Sequence, residues 1–443
     1  MVFSPKLVLL NNTTMKVLNS APISSFGGLN FVLEELTNLK VDHLINQSLP
    51  KLPTQSKYSW KDIFYSYWSI LFCGGDCAED LSVNLKSCFK GNPFIKGPSA
   101  DRLLARLKEL SLPTQTFKER KSKVDNEFSR NDNLNLLNLK LLKRMSALTA
   151  EEEVLDYDNT FIFTEKSDAK YTYYKQKGYC PGVGLIGNKV VYVENRNGNC
   201  APHTLQDKTI ERMFKLLDSQ NIKIESFRAD SAAYQFEVIN TVVRYTKKFY
   251  IRAKMRESVF LVINNIKHWN PIGCDGRYRA SGLYVPFTEA ARKTNQKDLL
   301  QQYRLVITKE PRKDGQINLF TGEAFEYTAI LTNDFEKTDD QIVFFYDQRG
   351  KQEREFDVLK NDFAWDKLPF SRLEENTVFL IVSAMCRNIY NYIISKFSRK
   401  FKNLKPEYRI KKFIYRFICT PAKWITSARS DKLRLFGHIA LKT

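Results

Sequence analysis

The chain has 443 residues, 43% hydrophobic and 27% charged; that balance excludes a disordered polymer and leaves room for about three folding units. Lys and Arg number 69 against 49 Asp and Glu, a net charge of +20, which suits a polyanionic partner, with nucleic acid ahead of an anionic membrane surface. No apolar run reaches the roughly 18 residues that a spanning helix needs, and the apolar piece at 7–10 is cut off by Asn11 before it could serve as a secretory leader, so a cytosolic protein is expected.

Residues 1–150 read as a helical region. The segment 60–72 is aromatic-rich and apolar on more than one side. Ser99 is suited to cap a helix, with Asp101 in its first turn. Leu103, Leu104, Leu107 and Leu110 form its apolar face, and Arg102, Arg106 and Lys108 fall elsewhere. Pro113 ends that helix. A polar stretch, 114–133, leads to another amphipathic helix marked by Leu134, Leu137, Leu141 and Met145.

From 151 to 255 strand and helix patterns alternate. Strands are expected at 154–163, 189–193, 222–227 and 249–251, and helices at 204–217 and 233–245, an α/β order. Residues 256–335 read as a β-rich insertion, with short strands at 260–266, 303–307, 317–320 and 327–331 punctuated by Asp275-Gly276 and Asp314-Gly315. Residues 336–395 carry a long helix, 339–361, and a second apolar helix, 375–397. The remainder, 396–443, is a basic region. Residues 391–443 hold 14 Lys and Arg against Glu407 and Asp431, interleaved with aromatics such as Phe397, Tyr408, Tyr415 and Trp424. That mixture suits DNA phosphates and bases; the alternative is a solvated basic surface whose aromatics are its core face.

The eight cysteines are scattered and form no C-x2-C pair, so reduced thiols are expected rather than a zinc site. No G-x4-G-K-[ST] loop occurs, so no nucleotide cofactor is expected. The chemistry concentrates elsewhere. Tyr346, Arg349, Glu353 and Lys360 are offset by 3, 7 and 14 residues, which on a helix gathers them into a stripe about 60° wide. One carboxylate among positive donors suits a site that holds divalent metal and phosphate together, although a solvated charged helix would carry the same residues. Asp158 lies inside a strand, where a charge needs a partner or a metal. Asp230 lies just past the end of another strand, where α/β sheets place ligands. Two aspartates and a glutamate make the all-oxygen donor set that Mg²⁺ and Mn²⁺ prefer.

The spacing Y-x2-R-x3-E-x6-K at Tyr346, Arg349, Glu353 and Lys360 resembles the signature of a large branch of bacterial insertion-sequence transposases of the DDE type. Asp158-Asn159-Thr160 resembles that branch's first-aspartate motif, and Arg228-Ala229-Asp230-Ser231 its second, with 122 residues between Asp230 and Glu353. The likeness extends over about residues 20–420. It implies an α/β fold: an RNase H-like catalytic core (151–255 and 336–395) interrupted by the β-rich insertion (256–335), with a helical N-terminal DNA-binding region (1–150) and a basic C-terminal DNA-contacting tail (396–443). It implies a catalytic, metal-binding triad of Asp158, Asp230 and Glu353 with Mg²⁺, for which Mn²⁺ would substitute, and DNA contacts from Tyr346, Arg349 and Lys360. It implies cleavage at the terminal inverted repeats, joining to target DNA, a homodimer at synapsis, and a cytoplasmic, nucleoid-associated place in a bacterium.

Arg102 and Arg106 are the exposed candidates for reading the repeats. Asp156, two residues before Asp158 and so on the same strand face, is either a supporting group or an exposed acid. Trp269 and Tyr327 are either base-stacking or core aromatics. A metal nuclease that does not rejoin, or a catalytically silent DNA-binding relative, would share these features.

Overall fold

The computed structural model describes residues 7–8, 17–18, 23–118, 125–148, 153–293, 295–296, 300–427, 430–437, 439 and 441–442. Half of the segment read as too short for a leader, residues 9–10, lies outside them. The chain divides into two compact units: residues 1–46, 50–104 and 393–443 form the first, and 47–49 with 105–392 the second.

The first unit is built around the Trp60–Phe72 helix, whose residues are buried apart from Lys61. Ser59 and Asp62 close a reciprocal capping box at its start. The basic C-terminal residues belong to this unit and are not a free tail. Phe397, Phe401, Phe413 and Phe417 pack on one another and on Phe31, and the Trp424 indole donates to Asn30 at 3.1 Å. The four phenylalanine rings are core, which for them is the alternative that the sequence left open, whereas Tyr408 and Trp424 are half-buried and Tyr415 is exposed.

The second unit carries a sheet of eleven strands. In chain order they are β1 (Gln115–Lys118), β2 (Asp125–Arg130), β3 (Glu153–Asn159), β4 (Gly182–Ile186), β5 (Lys189–Arg196), β6 (Ile224–Ala229), β7 (Lys248–Arg252), β8 (Asn270–Ile272), β9 (Arg277–Tyr284), β10 (Tyr303–Pro311) and β11 (Phe325–Thr332). Across the sheet the order is β8-β9-β10-β11-β7-β6-β3-β4-β5-β2-β1. At its centre β4 runs antiparallel to both of its neighbours, β5 and β3, while β6 and β7 run parallel to β3. β4 passes close to its neighbours: a Cβ at Gly182 would meet the Tyr157 hydroxyl at 2.1 Å, and one at Gly184 the Met213 sulfur at 2.3 Å. Helix α1 (Asp132–Arg144) lends Asn135 and Asn138, which donate to the Val193 and Val190 carbonyls of β5 beside its register shift. These amides satisfy backbone groups that the irregular ladder would leave unpaired.

Several expectations need correction. The polar stretch 114–133 supplies β1 and β2, which extend the sheet from β5; pairing at a sheet edge does not require an apolar pattern. Residues 260–266 are not a strand but the end of a helix, Glu257–Asn265, whose Val259, Phe260 and Ile263 are buried on one face. The β-branched and aromatic content there suits either state, and packing selects helix. Residues 317–320 form no strand, and Leu319 is fully exposed. Within the segment read as β-rich, β11 pairs with β7 and so continues the central sheet.

After β11 come α2 (Asp339–Asp347), a 3₁₀ turn at Gln348–Gly350, and α3 (Lys351–Asp362). The expected single helix over 339–361 is thus tightened for one turn at Gly350. Ile342 and Tyr346 of α2 pack on Tyr250, Val306 and Ile330 of the sheet. The Leu373–Lys400 helix is long and apolar enough to cross a membrane, yet its apolar window is 89% buried within the protein, as expected of a core helix.

Candidate active site

The register of β3 and β6 brings the two aspartate motifs together. Arg228 lies opposite Asp156, and Ala229 opposite Tyr157. One step further along the parallel pair, residue 230 comes beside residue 158. Side chains alternate with period two, so 156, 158, 228 and 230 belong to one face. The first pair is an ion pair and the second a pair of acids.

Asp156 is buried and takes two hydrogen bonds from Arg228, at 2.6 and 2.7 Å. Burial pushes its carboxyl up, and Arg228 opposes this. Arg228 also donates to the Phe345 carbonyl at 2.6 Å and stacks on that ring, which ties β6 to α2. Asp156 is therefore a supporting group, not an exposed acid.

Asp158, Asp230 and Glu353 line one cleft of about 770 Å³, together with Lys360. They come from the end of β3, the turn after β6 and the first turn of α3. Asp230 accepts from the Ala232 amide at 3.0 Å and so caps a short 3₁₀ turn. One Asp158 oxygen accepts from its neighbour's amide, Asn159, at 2.8 Å, and the other from Arg349 at 2.8 Å. Its side chain is 18% exposed. Burial, then the charge of Asp230, push the Asp158 carboxyl up to about 6, although Arg349 pulls it down. Burial pushes the Lys360 ammonium below its ordinary value. Glu353 is exposed to the cleft.

By its chemistry the donor set suits a divalent cation, and its three carboxylates line one cleft without being gathered to within 4.8 Å of one another. Its atoms are carboxylate oxygens, and the Asp158 carboxylate, raised first by burial and then by the charge of Asp230, would be stabilised by a bound cation. A tighter group of potential ligands, Asp76, Cys77 and Asp80, lies in the first unit. There Asp80 accepts from the backbone amides of residues 76 and 77 and from Asn84, so it serves a turn.

The remaining expected residues divide. Arg349 lies against Asp158, with Gln352 at 3.2 Å. Tyr346 is buried rather than open to a ligand; its hydroxyl donates to the Ala229 carbonyl at 3.3 Å, which fixes α2 against the residue preceding Asp230. Arg102 is exposed, but Arg106 is folded onto Glu109 at 2.7 Å with its side chain 15% exposed. Trp269 and Tyr327 pack edge to face, Lys309 lies over the Trp269 ring, and the Tyr327 hydroxyl donates to Glu323; this is the packing alternative.

Sequence reasoning missed Arg252, the last residue of β7, and Lys254 just beyond it. The Arg252 guanidinium lies over the Tyr346 ring, and the charge of Asp230 reaches Lys254. The period-two pattern of 250, 252 and 254 at a strand end was the available signal. It also missed four aromatics of the cleft, Phe161, Phe163, Tyr173 and Tyr174.

The model of the family described as transposase DDE domain, group 1, matches residues 16–443. No curated protein matches. Among solved structures, a cryo-EM structure of the piggyBac transposase synaptic complex with hairpin DNA is similar at 12% identity and a TM-score of 0.43, with 88% of this chain and 76% of that chain covered. With the family match running over nearly its whole length, the chain belongs to the DDE transposases.

Proposed function

We propose that this transposase mobilises an insertion sequence by binding its terminal inverted repeats, cleaving DNA at the element's ends and joining the freed 3′-hydroxyl to target DNA. The observation that carries the reading is the meeting of Asp158, Asp230 and Glu353, distant in sequence, in one cleft beside Lys360. The central strand order, with three antiparallel strands followed by two parallel ones, supports an RNase H-like core.

Asp158, Asp230 and Glu353 would hold two Mg²⁺ ions, or Mn²⁺ in their place. Bound there, the ions supply Lewis acidity at phosphorus and activation of the attacking oxygen. The protein's own residues do the rest. Arg349 screens the Asp158–Asp230 repulsion and holds the Asp158 carboxylate in place. Lys360 offers a positive charge to a phosphate beside the cut. Tyr346 acts as a positioning residue through Ala229. Arg102 offers a phosphate contact outside the cleft. Two protomers act at synapsis, one for each element end.

The test is Glu353→Gln assayed on a labelled element end with Mg²⁺. Cleavage should fall below detection while DNA binding stays within about twofold, since one neutral amide replaces one ligand without altering the DNA-facing cations. Cleavage that persists overturns the assignment. Joined products separate a transposase from a nuclease that cuts without rejoining.

A further inference from the structure

Beyond Asp158 the chain leaves β3 and makes an excursion into a small sheet of three short strands, Ile162–Phe163, Lys170–Tyr171 and Lys177–Tyr179. This excursion presents a ledge of rings to the cleft. Phe161 and Phe163 are stacked, with centroids 6.3 Å apart and planes 11° apart. Tyr173 and Tyr174 stand edge-on to Phe161 at 5.1 and 5.3 Å, and their own centroids are 4.0 Å apart. Phe163, Tyr173 and Tyr174 are 47%, 67% and 54% exposed. Leaving adjacent rings in water forgoes the burial that each would otherwise gain, and such a patch marks a binding surface.

The ledge is braced. Across the turn that carries the tyrosines, the Thr172 amide and hydroxyl both donate to the Gln176 carbonyl, at 2.8 and 2.9 Å, the Lys175 amide donates to the Thr172 carbonyl, and the Tyr174 amide donates to the Thr172 hydroxyl. The rings are therefore held in place before any ligand arrives.

We propose that this ledge stacks unpaired nucleobases of the DNA end whose phosphate lies at the carboxylates. The inference rests on the phosphoryl-transfer reading of the same cleft and names what else that cleft holds. Three observations select a base over an apolar peptide. The four rings line the cleft that also contains Asp158, Asp230 and Glu353. Phe161 follows Asp158 by three residues, about 10 Å along extended chain, so a strand with its phosphate at Asp158 brings its neighbouring bases to the ledge. The excursion 161–179 carries four lysines against Glu165 and Asp168; Lys170 pairs with Glu127 and Lys177 with Glu165, so Lys166 and Lys175 are the ones suited to a phosphate backbone. Stacking on an aromatic face tolerates any base and contributes roughly tenfold to hundredfold in affinity per base.

The test uses the full chain with Ca²⁺ in place of Mg²⁺, so that binding is read without turnover. The probes are a labelled duplex with a short single-stranded extension and the same duplex blunt-ended. The wild type binds the extended duplex more tightly. Tyr173→Ala with Tyr174→Ala weakens that binding at least tenfold and changes blunt-duplex binding less than twofold, while Tyr173→Phe with Tyr174→Phe restores it. Equal binding of both probes by the wild type, or an alanine variant that matches the wild type on both, overturns the proposal. So does an alanine variant that changes only self-association, which would assign the ledge to a second copy of the chain. The Glu353→Gln variant separates the two readings: it keeps the preference for the extended duplex if the ledge acts as proposed, whatever its cleavage.

Discussion

Asp158→Asn should stabilise the metal-free protein at neutral pH. The Asp158 carboxyl is raised from 3.8 to about 6, first by burial and then by the facing charge of Asp230. At about 1.4 kcal/mol per pH unit, that rise corresponds to ~3 kcal/mol of cost in holding the carboxylate ionised within the fold. The sign follows from proton counting. Between about pH 4 and 6 the folded protein keeps a proton that the unfolded chain has lost, so stability falls as pH rises through this window and stays lower above it. Asparagine resembles the protonated acid and avoids that loss. Urea denaturation without divalent cations should therefore find the variant more stable by up to about 3 kcal/mol at pH 7.5, with the difference closing as pH falls toward 4. Added Mg²⁺ should stabilise the wild type and have less effect on the variant. A variant less stable than the wild type at pH 7.5, or a difference that does not vary with pH, would refute the account of Asp158 as a buried acid facing Asp230 and only partly relieved by Arg349.

Three further outcomes are expected. Arg349→Ala removes the guanidinium that holds Asp158 down, so the carboxyl rises further and the acid limb of the cleavage rate profile with Mg²⁺ moves to higher pH; an unmoved limb would detach Arg349 from Asp158. Arg228→Met strands Asp156 without its buried partner and should cost about 3–5 kcal/mol in urea denaturation, with part of it recovered when Asp156→Leu is added. Thr338→Ala breaks the capping box in which the Thr338 hydroxyl accepts from the Gln341 amide and Gln341 accepts from the Thr338 amide. That loss should cost about 1 kcal/mol, and a calorimetric melt indistinguishable from the wild type would deny the cap a role in holding α2.

Local pattern determined a good deal on its own. Alternation of strands and helices announced an α/β region between 151 and 255, because burial on a sheet face and along a helix stripe leaves periods of two and 3.6 in the residues themselves. The residue types at 158, 230 and 353 suggested an oxygen-rich cation site, since hard cations prefer carboxylates whatever the fold. The tertiary structure decided what depends on partners remote in sequence. The polar strands at Gln115–Lys118 and Asp125–Arg130 exist because an edge of the sheet was there to pair with. Parallel register, not composition, gave Asp156 to Arg228 and left Asp158 facing Asp230. The C-terminal aromatics became core because Phe31, hundreds of residues earlier, lay beside them, and the exposed rings of residues 161–174 gained meaning only once they stood in the same cleft as the three acids.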